Sequence, residues 1–143
     1  MLDSRLNSSF WALRLAYGLV PLVAGLDKFT NLLTQWTDYL SPILPRMLGV
    51  QPSTFMHLVG VVEIAAGILV LTRFTRYAAY VVAAWLLLIA LNLLTTGHYF
   101  DVAVRDVVMA LGAFVLARLS EVKATVPSRA TDAGPLQTAR TSV

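Results

Sequence analysis

Arg14, Asp27, Lys28, Glu63, Arg105 and Asp106 lie inside or at the ends of otherwise apolar stretches, three cations against three anions. An ionised group at the centre of a hydrocarbon layer costs about 2.5–3.5 kcal/mol on insertion scales, so a chain keeps such groups where they pair or where they act. A carboxylate in those surroundings can hold and pass a proton. An ammonium or guanidinium there donates hydrogen bonds to a ligand oxygen. Glu63 and Asp106 are therefore the candidate catalytic, proton-handling residues. Lys28, Asn92, Arg105, Asp106 and His98 are the candidate ligand-binding residues. His57 and His98 alone are too sparse a set for a metal, and no metal site is expected.

Composition narrows the chemistry. Of 143 residues, 57% are hydrophobic and 13% charged, whereas a soluble domain carries about 25% charged residues. The mean hydropathy is +0.70. A net charge of +3 without any basic run excludes a nucleic-acid-binding role. The absence of cysteine excludes disulfides, thiolate metal ligation and thiol redox chemistry by this chain.

The elements that must position these groups are membrane helices. Apolar stretches at about 10–28, 55–71, 77–96 and 102–119 sit at the short end of the roughly 17–25 residues that cross a bilayer. The expected fold is all-α, an integral membrane four-helix bundle. The fourth stretch is the weakest, being confined between Asp106 and Arg118. The first reads as a retained helix rather than a cleaved signal, because Asp27-Lys28-Phe29 continues its pattern past Ala24-Gly25-Leu26. Lys and Arg gather on the side shared by the N-terminus, the Thr72–Arg76 turn and the tail, so both termini are expected in the cytoplasm. Residues 120–143, rich in Ser, Thr, Ala and Pro, read as a disordered cytoplasmic tail. In the first outer loop, residues 29–40 space Phe29, Leu32, Leu33, Trp36, Tyr39 and Leu40 as one helical face, predicting an interfacial amphipathic helix.

Helical faces then assign the charges to the interior. At about 100° per residue, Arg14, Gly18, Pro21, Gly25 and Lys28 share one stripe. Gly60, Glu63 and Gly67 share another, and Asp106, Ala110, Ala113 and Ala117 a third. Small residues mark where membrane helices approach closely, so the charges beside them point into the bundle. Two layers result. Arg14 and Glu63 form the expected deep structural ion pair, the arginine arm climbing toward the carboxylate. Near the outer surface, Lys28 or Arg105 pairs with Asp106, with Asn92 and His98 close by. Tyr17, Tyr39, Trp85 and Phe100 are candidates for an aromatic slot.

Four local patterns, in this order, resemble the DoxX family. They are Arg14 with Gly25-Leu-Asp-Lys28-Phe, Gly60-Val-Val-Glu63-Ile-Ala-Ala-Gly67, Ala90-Leu-Asn92-Leu-Leu, and Arg105-Asp106. The resemblance spans roughly Leu13 to Leu119 and implies a four-helix protein of the bacterial inner membrane. Its relatives include the small subunit of a thiosulfate:quinone oxidoreductase and partners of redox enzymes. It thus implies a quinone-linked membrane subunit with a polar pocket near the outer face, a quinone or lipid ligand, and a redox-enzyme partner or homo-oligomer. No covalently bound cofactor is expected. The alternative is a non-catalytic anchor or assembly partner of a larger complex, its charges merely holding the bundle. A proton-linked transporter fits less well in four short helices. Some relatives depend on cysteines, a mechanism this chain does not have.

Overall fold

A computed structural model describes residues 4–125. Among them the chain is helical: α1 (Ser4–Thr30), a single 3-10 turn at Trp36–Tyr39, α2 (Ile43–Leu48), α3 (Pro52–Leu71), α4 (Thr75–Thr96) and α5 (Phe100–Thr125). Three of these, α1, α3 and α4, are long and apolar enough to cross a membrane. The last helix is as long but carries Asp101, Arg105 and Asp106 near one end and Arg118, Glu121 and Lys123 near the other. Large side chains along all four long helices, such as Leu19, Val61, Val81 and Leu111, are exposed, the outward apolar surface that lipid accepts.

The long helices form two tight antiparallel pairs, α1 with α3 and α4 with α5. Each pair is built on a different small residue. In the first, Gly25 lies against Gly60 and Gly18 against Gly67; a Cβ on Gly25 would stand 2.6 Å from the Gly60 carbonyl oxygen. Backbones this close gain dispersion contact that lipid cannot offer. In the second, buried Ala78, Ala79 and Val82 meet Ala113, Leu116 and Ala117, while Ala90 and Leu93 meet Ala103 toward the far end. Tyr17 ties the pairs together, its hydroxyl donating 2.6 Å to the Met109 carbonyl. A side chain at Gly112 would run into that phenol.

Helix ends follow local chemistry. Pro52 opens α3, where its missing N–H costs nothing. Gly97, at φ +73°, closes α4 in the left-handed conformation that glycine adopts without strain. The starts of α1 and α4 and the end of α5 gather at one end of the molecule, where Phe10, Thr75 and Lys123 line one hollow.

Two expectations need correction here. No amphipathic helix forms over 29–40: α1 runs on to Thr30, Asn31 turns left-handed at φ +50°, and only the turn at Trp36–Tyr39 and short α2 follow. The reason is Asp27, whose carboxylate accepts the backbone N–H groups of Leu32 and Leu33 at 3.0 and 3.1 Å. Those donors are thereby taken by a side chain instead of a continuing helix. In the tail, residues 120–125 are helical, since α5 ends only at Thr125; the remainder of the expected disordered tail lies outside the described residues.

Candidate functional site

Between the two helix pairs lies a cavity of about 1080 Å³. Its walls are mostly apolar, with Ala16, Ala24, Val59, Leu86 and Met109 among them, and all four long helices contribute. The segment joining α1 to α3 straps across one end, adding Trp36, Tyr39 and Ser41. Polar groups concentrate beneath that strap: Lys28, Glu63, Arg105 and Asp106.

The centre of this cluster is an ion pair. Lys28 Nζ lies 2.6 Å from Glu63 Oε2, both side chains being less than a tenth exposed. On its other side the ammonium rests 3.7 Å from the centroid of the Trp36 ring. A cation held between a carboxylate and an aromatic face in a dry site is attracted by both. Trp36 is in turn oriented by its indole N–H, which donates to Asp27 Oδ2 at 2.8 Å. Asp27 also accepts from Thr30 Oγ1 at 3.0 Å. Adjacent residues of one helix thus do different work: Lys28 enters the cavity and Asp27 fastens the strap above it.

The far end of the strap is fastened by Asn92. Its amide oxygen accepts from Ser41 N at 3.1 Å and its amide nitrogen donates to the Tyr39 carbonyl at 2.8 Å. Tyr39 further packs against Tyr99, the tilted rings having centroids 4.5 Å apart. Across the cavity, buried Asp106 sits 3.6 Å from Arg105, whose own side chain is largely exposed. The Trp85 indole N–H is buried and approaches the Glu63 carboxylate without a hydrogen bond of good geometry.

The candidate residues therefore divide. Lys28, Glu63, Asn92, Arg105 and Asp106 all line the cavity, whereas His98 is exposed in the α4–α5 turn and does not. Of the aromatic candidates Tyr17, Tyr39 and Trp85 line it and Phe100 does not. Arg105 meets Asp106 as expected, but Lys28 belongs to Glu63.

The expected Arg14–Glu63 pair does not form. Arg14 caps the end of α3 instead, its Nε donating to the Val70 carbonyl at 3.2 Å and its Nη2 to those of Leu71 and Thr72 at 2.7 and 2.8 Å. The cause is side-chain direction. Helical side chains lean toward the N-terminus of their own helix. Arg14 on α1 therefore leans away from Glu63, while Lys28 on α1 and Glu63 on antiparallel α3 lean toward each other. Trp36 and Asp27 are the site residues that spacing alone does not reveal. Their signal is an acidic residue at a helix end with Thr30 and Trp36 shortly after, a side-chain-capped turn.

Buried charge paired inside a bundle whose outer surface is apolar defines a helical membrane protein with an internal, amphiphilic cavity. The chain matches the DoxX family model over residues 10–96, and it belongs to the DoxX family. The match ends with α4, so Arg105 and Asp106 on α5 lie beyond it. No curated protein and no solved structure matches the chain.

Proposed function

We propose that this chain is a quinone-binding subunit of the bacterial inner membrane, with α5 as its fourth span and both termini in the cytoplasm. One observation carries the reading: a mostly apolar cavity of about 1080 Å³ with two carboxylates and two cations gathered at one end. A lipid-soluble quinone has the same division, an apolar tail and a small head bearing two oxygens. The volume lies just above the roughly 300–1,000 Å³ typical of small-molecule sites. Exposed Val20, Leu88 and Leu91 stand on the rim of the cavity, which therefore communicates with hydrocarbon.

Each polar residue has a part in that reading. Lys28 and Arg105 donate hydrogen bonds to the head-group oxygens. The buried Trp85 N–H, lacking a well-formed acceptor, is a third donor at the same level. Quinone reduction consumes two electrons and two protons. The Glu63 and Asp106 carboxylates, both lining the cavity, hold those protons. In this reading the electrons come from a partner protein; a chain without cysteine provides no thiolate to hold an iron–sulfur cluster of its own.

A second reading is favoured by a specific observation: Lys28 and Asn92 already have partners within the chain, as a purely structural cluster requires. In that case the protein is a non-catalytic anchor or assembly partner. The test is organic extraction of the detergent-purified protein and of its Glu63→Gln and Asp106→Asn variants. Quinone recovered in about equimolar amount, with partner-dependent quinone reduction lost in both variants at unchanged membrane level, supports the redox subunit. Absence of quinone, or loss of protein in step with activity, favours the anchor.

A further inference from the structure

The end of the molecule opposite the strap carries a second hollow, which the quinone reading does not use. It has a volume of about 330 Å³ and is lined by four cations, Arg14, Arg73, Arg76 and Lys123, together with Phe10 and Tyr77. Among the described residues the acidic group beside it is Glu121, which is not in the lining and is engaged by Arg76 at 3.2 Å, by Arg118 at 2.5 Å and by the Tyr80 hydroxyl at 2.9 Å. One carboxylate shared among those partners leaves the hollow strongly positive.

Each cation is placed by the fold. Arg14 is held by the terminal carbonyls of α3, so that pole of the helix is already neutralised. Lys123, from the last turn of α5, lies 4.4 Å from the centroid of the Phe10 ring and donates to Asn7 Oδ1 at 3.1 Å. Arg73 sits exposed in the turn between α3 and α4. The hollow also faces the start of α4, whose cap residue Phe74 supplies no side-chain hydrogen bond to the first N–H groups.

We infer that this hollow binds the phosphodiester headgroup of an anionic phospholipid. The charge calls for an anion, and the position calls for one attached to hydrocarbon. The hollow lies at the end of helices long and apolar enough to span a membrane, the level at which headgroups lie. From Tyr77 an exposed stripe of α4 runs through Val81 to Leu88, about three turns of apolar surface on which an acyl chain can rest. Exposed Trp11 and Phe74 flank the hollow as interfacial aromatic residues. A free phosphate ion uses none of this apolar surface.

The experiment is native mass spectrometry of the full chain in a mild detergent, titrated separately with phosphatidylglycerol and phosphatidylcholine. A basic residue near an anionic lipid surface contributes about fivefold in affinity. The expected result is a single phosphatidylglycerol bound at least about 25-fold more tightly than phosphatidylcholine. In an Arg73→Gln/Lys123→Gln variant that preference falls about 25-fold in the same terms, and in Arg73→Gln alone about fivefold. Arg73 is in an exposed turn, so the single variant reports even where the double variant does not fold. Equal binding of the two lipids overturns the inference. So does a preference that is undiminished in Arg73→Gln, because the site then lies elsewhere. Displacement of phosphatidylglycerol by inorganic phosphate at equal concentration overturns it too, making the hollow a site for soluble anions.

Discussion

Arg14 and Lys28 occupy one stripe of one helix, and the two ends of the molecule use them in opposite ways. At the strap end, Lys28 is buried against a carboxylate and an indole ring and lines a large, mainly apolar cavity. At the other end, Arg14 meets, among the described residues, only carbonyl oxygens as hydrogen-bond partners and borders a small basic hollow. Residue type does not make the difference. Both side chains lean toward the N-terminus of α1, which carries Lys28 down into the bundle and Arg14 out toward its end. On a helix crossing a membrane, direction along the axis decides whether a cation meets a partner in the interior or at the boundary.

The comparison is broken most severely by removing the anion of the buried pair. Glu63→Ala leaves the Lys28 ammonium stranded, and the thermal unfolding of the detergent-solubilised protein should show a loss of about 3–5 kcal/mol. A Lys28→Met/Glu63→Leu double variant should recover most of that stability, because an apolar pair of similar volume needs no desolvation. If the double variant is as unstable as the single one, the ion pair is not what the single variant lost. Next in size is Gly25→Leu, which forces the Gly60 carbonyl away and separates α1 from α3. A cost of about 3 kcal/mol is expected, together with loss of the Lys28–Glu63 contact.

At the opposite end, Arg14→Ala should cost about 2 kcal/mol by exposing three helix-terminal carbonyls. Arg14→Lys should rescue little of it, since a single ammonium cannot reproduce the planar guanidinium spread over Val70, Leu71 and Thr72. That variant should leave the strap-end cavity intact, measurable as unchanged retention of any quinone the wild type carries. The smallest effect is expected from Trp36→Phe. It keeps a ring over Lys28 but loses the N–H to Asp27, about 1 kcal/mol. Its sharper signature is faster proteolysis of the strap between α1 and α3 with the long helices still protected.

Much of the helix packing was legible because glycine and alanine stripes on membrane helices mark the faces where backbones touch. The pairs Gly18–Gly67 and Gly25–Gly60 fall on the stripes that their spacing defined, as do Ala110, Ala113 and Ala117. The membership of the polar cluster was legible in part: Lys28, Asn92, Arg105 and Asp106 line one cavity, but His98 lies on an exposed turn, and Glu63, expected in a separate deep layer with Arg14, joins them. The pairing was not legible. Choosing between Arg14 and Lys28 as the partner of Glu63 required the antiparallel register of α1 and α3 and the lean of each side chain. The strap was not legible either, because periodicity over 29–40 is satisfied equally by a helix and by a capped turn. The competing interaction, Asp27 with the backbone of Leu32 and Leu33, leaves no periodic trace.

The sequence by itself determined that this chain is a helical membrane protein, where its helices touch, and which charged residues the interior must accommodate. Those properties follow from the cost of polar groups in hydrocarbon, which acts residue by residue. Tertiary structure alone decided that Lys28 meets Glu63, that Trp36 covers the pair, and that a cavity separates two tight helix pairs. Each of these depends on the register and separation of helices distant in sequence, and a short-range pattern carries no information about either.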